Sequence, residues 1–368
     1  MNVELKYDLE NIGCHFDIRG EYVTAEPYGT GHINDTFRVT YNKNGKKVLY
    51  IFQRINQFVF KDPAGLMENI SRVTSHQKIK EAHQPQASRR SLNFVPCHNG
   101  TLLHTDRKNG TYWRCYFFID NARTYDVATS PEMAYQAAKA FGSFQRALSD
   151  LGGPRLNETI PNFHNTPKRM EDFENVLDED KKNRAVLAGE EIKFALKWKQ
   201  KTGYLLDLKT KGEIPERITH NDCKLSNILI DDDSGEGTCV IDLDTVMPGL
   251  SLYDFGDMVR TMVSPSGEDE NSLSIVKVQI PMFEALAKGY LESAGDILLP
   301  AEKENLVFSG KLISFEIGLR FLTDFLEGDV YFKTSREYHN LDRCRAQFRV
   351  VQEIEKVEDK LSALIKSL

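Results

Sequence analysis

The chain contains the stretch His220-Asn221-Asp222-Cys223-Lys224-Leu225-Ser226-Asn227, and Val240-Ile241-Asp242-Leu243-Asp244 follows one short strand later. Four chemically reactive residues stand at the spacing His-x-Asp-x-Lys-x-x-Asn. A carboxylate in this pattern can orient and deprotonate an attacking hydroxyl, while an amide oxygen and a second carboxylate can hold Mg²⁺ against phosphates. Such a set within about twenty-five residues predicts phosphoryl transfer, because that reaction needs few other protein groups.

The order of these residues is that of a kinase catalytic loop followed by its metal-binding aspartate. We expect Asp222 to be the catalytic base, and Asn227 and Asp242 to bind Mg²⁺. Lys224 can reach the γ-phosphate or balance the charge of Asp222, and the alternative is an ordinary surface lysine. His220 is expected to hold the loop through hydrogen bonds to nearby backbone.

Asp244 is a candidate for a second metal ligand. Side chains alternate with period two along an extended segment, so Asp242 and Asp244 would share a face if this segment is extended. Asp244 would then bind the metal or support its ligands, and otherwise it forms a turn.

The composition predicts a globular protein with two lobes. The chain has 368 residues, of which 40% are hydrophobic and 27% charged, with a net charge of −7. That charge disfavours nucleic acid or an anionic membrane as a partner. Six scattered cysteines without a Cys-x-x-Cys, a polar N-terminus unlike a signal peptide, and no long apolar run favour a cytoplasmic location. We expect a monomer.

The secondary-structure pattern predicts an α+β, two-lobed fold of the protein-kinase type. Residues 1–119 form the first lobe, with a small antiparallel sheet, and residues 120–368 form a mainly helical second lobe. The first lobe is expected to contain strands Tyr22–Tyr28, Asp35–Tyr41, Lys47–Gln53 and Tyr112–Ile119 and a helix Ala64–Ala82. The second is expected to contain a hairpin within Ile214–Thr245 and helices Glu132–Leu148, Pro167–Leu187, Ile192–Leu208, Val278–Ser293, Glu302–Glu327 and Arg336–Ile365.

Two further sets of residues are candidates for binding a nucleotide. Gly29-Thr30-Gly31 links two predicted strands, where small residues let backbone N–H groups approach phosphates. Kinases usually place a lysine on the third strand, but this strand has none. Arg54 is the nearest cation, and Glu68 on the following helix is a possible partner; an ordinary exposed ion pair is the alternative.

A polar helix face is the candidate for binding the acceptor. Arg320, Thr323, Asp324 and Glu327 lie at i, i+3, i+4 and i+7 of one predicted helix. Such a face can hydrogen-bond a polyhydroxylated ligand. A plain Arg320–Asp324 salt bridge on a solvated surface is the alternative.

Several motifs together resemble the aminoglycoside-phosphotransferase-like kinases and, more narrowly, the bacterial N-acetylhexosamine 1-kinases. They span nearly the whole chain in the expected order. The motifs are Gly29-Thr30-Gly31-His32-Ile33-Asn34-Asp35-Thr36-Phe37, Gln53-Arg54-Ile55-Asn56, His220-Asn221-Asp222-x-Lys224, Ile241-Asp242-Leu243-Asp244-Thr245, Pro248-Gly249-Leu250-x-x-Tyr253-Asp254-Phe255-Gly256-Asp257, and Leu319-Arg320-Phe321-Leu322-Thr323-Asp324 with Glu327-Gly328-Asp329-Val330-Tyr331.

The resemblance implies a kinase-like fold with ATP in the cleft and Mg²⁺ on Asn227 and Asp242. It also implies that His32, Arg320 and Tyr331 touch the sugar alongside Asp222, and that Asp254 organises the catalytic loop. Backbone groups from Ile119 to Asn121 are expected to bind adenine. Thr261 departs from the aromatic residue typical of these sugar kinases, which leaves the sugar preference open.

The resulting hypothesis is an ATP- and Mg²⁺-dependent kinase that converts GlcNAc or GalNAc to the sugar 1-phosphate. A second hypothesis keeps the fold but changes the acceptor to another sugar, choline, homoserine or an aminoglycoside. A third is a nucleotide-binding regulator without catalysis, which the absence of a third-strand lysine favours and the intact Asp222, Asn227 and Asp242 disfavour.

Overall fold

The structure, a computed structural model, describes residues 6–29, 31 and 33–368. The chain forms two compact units: residues up to 122 together with 153–161, and residues 123–152 together with 162–368. The division therefore falls after Ala122, close to the predicted boundary after Ile119. The sequence did not indicate that residues 153–161 return to the first unit.

The first unit is built on a five-stranded antiparallel sheet with the strand order β1-β2-β3-β5-β4. Asn44 and Gly45, both with positive φ, make the tight turn between β2 and β3. The strands are β1 (Glu21–Pro27), β2 (Asp35–Lys43), β3 (Lys46–Ile55), β4 (His104–Asp106) and β5 (Thr111–Phe117).

Different helices pack on the two faces of this sheet. The short helix α1 (Leu9–Gly13) and Phe16 pack on a face made of Phe37, Val39, Tyr50, Phe52 and Trp113. The helix α2 (Pro63–Glu81) begins as predicted, because Asp62 accepts a hydrogen bond from the Gly65 N–H and Pro63 occupies the first turn.

The second unit is mainly helical. Its core includes Trp198, Phe315 and Phe348, whose rings stack with centroids 5.0 and 5.6 Å apart. The helices are α3 (Pro131–Leu148), α4 (Thr166–Glu179), α5 (Gly189–Trp198), α6 (Tyr204–Thr210), α7 (Ser251–Met262), α8 (Ile280–Ala294), α9 (Pro300–Glu304), α10 (Leu306–Glu327) and α11 (His339–Ser367). The short strands are β6 (Ala122–Arg123), β7 (Arg217–Thr219), β8 (Ile228–Asp231), β9 (Gly237–Val240) and β10 (Met247–Gly249).

The antiparallel-sheet unit and the helical unit confirm the predicted kinase-like fold class. Individual boundaries differ: α4 ends at Glu179, where Asp180 takes a left-handed conformation, and does not continue to Leu187. The predicted helix Ile192–Leu208 is interrupted after Trp198, and α7 was not predicted at all. Over the described residues, no helix combines the length and apolar character needed to cross a membrane.

Candidate active site

A buried aspartate holds the loop that follows β7. The Asp254 carboxylate, on α7, accepts hydrogen bonds from the backbone N–H of His220 at 3.0 Å and of Asn221 at 2.7 Å. Gln145 on α3 donates to the same carboxylate at 3.2 Å. Burial raises the pKa of Asp254 against the opposing effect of these donors. The carboxylate thus fixes the backbone of the loop just before Asp222.

Asp222 carries two close side-chain partners. Lys224 Nζ lies 3.1 Å from Asp222 Oδ2, and Asn227 Nδ2 donates to the same oxygen at 2.8 Å. Burial opposes ionisation, but the charge and hydrogen bond of Lys224 outweigh it and hold the pKa of Asp222 below its usual range. Asp222 is therefore an ionised acceptor at neutral pH, which is the state that a hydroxyl-orienting base requires.

His220 joins the two loops of the site. Its Nε2 lies 2.9 Å from the Ile241 carbonyl, and the Ile241 N–H donates to the Asn227 carbonyl at 2.9 Å. A carbonyl only accepts, so the proton of His220 lies on Nε2. These bonds bring Asn227 and the start of the Asp242 segment next to each other.

The residues around Asn227 fit a magnesium ion. The amide nitrogen of Asn227 donates to Asp222, so its amide oxygen is oriented away from that bond and can serve as a ligand. Asp242 follows Ile241 and has an exposed side chain. Within the described chain no three His, Cys, Asp or Glu side chains cluster as a metal site. An amide oxygen and one or two carboxylates nevertheless suit Mg²⁺, which keeps water and phosphate ligands.

Asp242 and Asp244 do not share a face of an extended segment, and for Asp244 the structure supports the alternative, a turn. Asp242 has φ +58° and precedes a 3₁₀ turn at Leu243–Thr245, so the segment is not extended. Asp242 is exposed, whereas only 2% of Asp244 is accessible. Because a turn replaces the extended segment, the side chains do not alternate there, and the two carboxylates have different environments.

Arg320 on α10 is held by aromatic rings. Its guanidinium lies 5.4–5.9 Å from the ring centroids of Phe163, Tyr331 and Phe332. In the part of the chain that the structure describes, it makes no hydrogen bond or ion pair. Such a cation is oriented by cation–π contacts while its N–H donors stay available for a ligand.

Asp324, predicted to bind substrate, has a different task. Its oxygens accept hydrogen bonds from the backbone N–H groups of Val330, Tyr331 and Phe332 at 2.7–3.0 Å, and from Asn340 Nδ2 at 2.8 Å. The carboxylate is therefore saturated by the loop that carries Tyr331 and is not available to an acceptor. The alternative Arg320–Asp324 salt bridge does not form either.

Sequence reasoning missed a buried group beside the catalytic loop. His164 bonds the Asn221 carbonyl and Glu316, and Arg169 lies close enough to Arg320 for the two cations to repel. His164 and Arg169 stand near the start of α4, and Glu316 lies one turn before Arg320 on α10. The i, i+4 spacing of Glu316 and Arg320 was the available indication.

In the first unit, the glycine turn is only partly described. Gly29 has φ +78°, and a Cβ at Gly29 or Gly31 would meet no atom within 4 Å, so the backbone there is open to a ligand. Thr30 and His32, predicted to contact phosphate and sugar, lie outside the described residues.

The predicted Arg54–Glu68 pair does not form. Arg54 Nε donates to Asp35 at 2.6 Å, and Glu68 accepts from Asn157 at 3.2 Å. The reason is the strand period: Arg54 shares a face with Phe52, on the side covered by α1.

The face toward α2 carries a different cation. Arg114 of β5, paired in register with Gln53, donates to the Gln53 side chain at 3.0 Å and lies 4.0 Å from Met67 of α2. Arg114 is 2% exposed. Arg114 is therefore a buried cation on the face of the sheet opposite to that of Arg54.

The segment Ile119–Asn121 borders a cavity of about 700 Å³ in the first unit. Phe94, Phe117 and Phe118 supply apolar wall. Arg89 donates to the Asp120 carbonyl at 2.6 Å and the Asn121 carbonyl at 3.0 Å, so two of the backbone acceptors expected to meet adenine already have a partner.

Comparisons with known proteins place these observations in a family. The family model described as the phosphotransferase enzyme family matches residues 24–295. Choline kinase from Cryptosporidium parvum Iowa II has a similar fold, with a TM-score of 0.60 and 14% identity over 98% of both chains. An aminoglycoside phosphotransferase from Alicyclobacillus acidocaldarius subsp. acidocaldarius has a TM-score of 0.60 and 12% identity, over 100% of this chain and 98% of that one.

Amicoumacin kinase, solved in complex with AMP-PNP and Ca²⁺, gives a TM-score of 0.55 and 12% identity over 96% of this chain and 94% of that one. At these identities the structural likeness shows the fold alone. The family model, by contrast, covers well over half of the sequence, including the catalytic loop. This chain therefore belongs to the phosphotransferase enzyme family.

Proposed function

We propose that this phosphotransferase is an ATP-dependent kinase that phosphorylates the anomeric hydroxyl of N-acetylhexosamines and releases the sugar 1-phosphate. The observation that supports this most is the guanidinium of Arg320, held on three aromatic rings without a polar partner among the described residues. Its donors fit the hydroxyl and amide oxygens of such a sugar, and the rings of Tyr331 and Phe163 fit its apolar faces.

The charge around Arg320 supports a neutral acceptor over a cationic one. Arg169 lies beside it, and its Nε is buried without a hydrogen-bond partner in the described part of the structure. The nearby carboxylate of Glu316 is already shared between His164 and Thr166. Choline and aminoglycosides carry positive charge, which two neighbouring guanidinium groups repel. An acceptor rich in hydroxyl and carbonyl oxygens meets donors at the same place.

The residues of the catalytic loop have definable tasks in this reaction. Asp222 accepts a hydrogen bond from the acceptor hydroxyl and takes its proton late in the transfer. Lys224 keeps Asp222 ionised and can neutralise charge on the transferred group. Asn227 and Asp242 would hold Mg²⁺, which supplies charge neutralisation on the phosphates of ATP when bound.

A panel of acceptors analysed by phosphorus NMR tests this function. The purified protein is incubated with ATP, Mg²⁺ and, separately, GlcNAc, GalNAc, glucose, galactose, choline, homoserine or kanamycin. We expect a new sugar 1-phosphate resonance with GlcNAc or GalNAc. Phosphate on a different acceptor would overturn the substrate but keep the enzyme class. Binding of ATP without transfer to any acceptor would instead favour a nucleotide-binding regulator.

A further inference from the structure

A buried histidine contacts the catalytic loop, and a buried glutamate holds the histidine. His164 Nε2 lies 3.0 Å from the Asn221 carbonyl, and Nδ1 lies 2.8 Å from Glu316 Oε1. The second oxygen of Glu316 accepts from Thr166 Oγ1 at 2.5 Å. The side chains of His164 and Glu316 are 4% and 0% exposed, so water does not compete for these bonds.

The partners determine where the protons are. A backbone carbonyl only accepts, so His164 Nε2 must donate to Asn221. Nδ1 faces a carboxylate, which also accepts. Burial would lower the pKa of His164, but the charge and hydrogen bond of Glu316 outweigh this and raise it. Glu316 correspondingly has a lowered pKa despite its burial. An imidazolium paired with a carboxylate satisfies every polar atom of this group.

The bond to Asn221 falls at a strained position. Asn221 has φ +65°, a conformation that costs energy in residues other than glycine. The Asn221 N–H donates to Asp254. The Asn221 side chain donates to the Thr219 and Thr245 carbonyls at 3.2 and 2.9 Å. His164 holds the remaining polar group, the carbonyl, directly before Asp222. His164 lies two residues before α4, which carries Arg169, and is held by Glu316 of α10, which carries Arg320.

We propose that His164 is a positioning residue, which donates its Nε2 proton to the Asn221 carbonyl, is fixed in that orientation by Glu316, and so aims the Asp222 carboxylate at the acceptor hydroxyl. The pair also connects the helix that carries Arg320 with the loop that carries the base. This inference rests on the proposed function only for the choice of acceptor in the assay.

Two variants separate the bond to Asn221 from the bond to Glu316. In His164→Gln, the side-chain amide can reach the place of Nε2 and still donate to the carbonyl, whereas in His164→Asn the amide reaches only the place of Nδ1. We expect His164→Asn to lower kcat by about 10–100-fold, because a misaligned base loses rate, with the KM for ATP nearly unchanged. His164→Gln should keep kcat within about fivefold of the wild type.

Amide hydrogen exchange of the segment 219–223 gives a readout that needs no acceptor. Exchange should be faster in His164→Asn than in His164→Gln, because only the former releases the Asn221 carbonyl. His104→Asn is the matched control: His104 is half-buried in β4 of the first unit and stacks on His15 at 3.9 Å. It should change neither kcat nor exchange in 219–223.

Equal kcat losses and equal exchange in the two His164 variants would overturn the inference, as would a wild-type kcat in His164→Asn. If the wild type phosphorylates an acceptor other than a sugar, the kinetic comparison is made with that acceptor, and the proposed function fails alone. If it phosphorylates none of the panel, the exchange comparison decides: equal exchange rejects the positioning role.

Discussion

In our proposal Asp222 is the catalytic base, and its environment must meet two opposed requirements. A partly buried carboxylate tends to become protonated, while a base must be ionised before the acceptor arrives. Lys224 at 3.1 Å resolves this conflict by lowering the pKa of Asp222, and Asn227 fixes one of its oxygens. The second oxygen is the one available to an acceptor hydroxyl.

Asp222→Asn should lower kcat by roughly 10²–10⁴-fold, because the amide keeps the shape of the side chain but cannot take a proton. The thermal midpoint should stay close to that of the wild type, since both hydrogen-bonded neighbours can adapt to an amide. Steady-state kinetics and a melting curve measure these effects. Asp233→Asn, in the exposed β8–β9 turn, is the control. A variant with near-full activity would remove Asp222 from the mechanism.

Arg320→Ala should raise the KM for the acceptor about 10–100-fold and leave the KM for ATP within about twofold, because its free donors face the acceptor in our proposal. The acceptor KM of Arg320→Lys should lie between those of the wild type and Arg320→Ala, since lysine keeps the charge but not the planar set of donors. Arg146→Ala, which removes an exposed arginine paired with Asp296, should change neither constant. An equal rise in both KM values for Arg320→Ala would contradict the assignment.

The residues of the catalytic loop could be predicted because their spacing is local and their chemistry is tied to residue type. Arg54 could not be placed in the same way. Whether it faces α1 or α2 depends on the register of β3, and a shift of one residue moves every side chain to the other face. Asp324 illustrates another limit, since the sequence does not show that a carboxylate is already saturated by the backbone of the next loop.

At the level of elements, α7 was missed because its first turn carries no start signal: Leu250 stands at the N-cap without a side-chain cap, and no proline occupies the first turn. Eleven of its twelve residues are buried, Asp254 and Asp257 among them. A cap residue and a first-turn proline are the local signals from which the start of a helix is recognised in sequence. By contrast α2 and α3 have a cap, a first-turn proline and one apolar side, and both were predicted at nearly their observed limits.

Gly256 lets α7 approach α10 closely enough to bring Asp254 to the catalytic loop. A Cβ at Gly256 would lie 2.5 Å from the Ser309 carbonyl oxygen and 2.7 Å from Ile313 Cγ1. Gly256→Ala gains about 1 kcal/mol of helix propensity, but overpacking against backbone costs about 1–3 kcal/mol. We expect a net loss of stability in chemical denaturation. Gly267→Ala, where no atom lies within 4 Å and φ is not positive, should be nearly neutral, and equal stability of the two variants would refute the close-packing argument.

At the scale of the whole molecule, the fold class followed from the order of strand-rich and helix-rich stretches, which local patterns determine. The return of residues 153–161 to the first unit could not be predicted from local patterns, because it depends on contacts distant in sequence. The side-chain amide of Asn69 on α2, 88 residues away, donates to the Asn157 carbonyl at 2.8 Å and accepts from the Asn157 N–H at 2.9 Å. A buried asparagine in a helix gives no indication of the segment that it binds.

The stability of the protein should fall in acid, and Glu302 offers a test. Its carboxylate joins β7, α7 and the start of α9, since it accepts hydrogen bonds from Arg217 at 2.7 and 2.8 Å, from Ser251 and from the Leu299 N–H. Burial raises the pKa of Glu302, but the bonds from Arg217 and Ser251 outweigh it and leave the pKa below its usual value of 4.5. The stabilisation is therefore complete above pH 4.5 and is lost as the pH falls through the lowered pKa.

Glu302→Gln should reduce the free energy of unfolding at pH 7 by about 1–3 kcal/mol. The amide has one oxygen and so cannot accept the hydrogen bonds that both carboxylate oxygens accept, and it cannot balance the charge of Arg217. The difference from the wild type should shrink as the pH falls through the lowered pKa of Glu302, because the native carboxyl is then also neutralised. Denaturant unfolding at a series of pH values measures both effects. Glu304→Gln, an exposed neighbour on α9, should follow the wild type throughout. A Glu302→Gln difference that stays constant from pH 7 down to the acid unfolding of the wild type would show that shape and packing at Glu302, and not its charge, stabilise this junction.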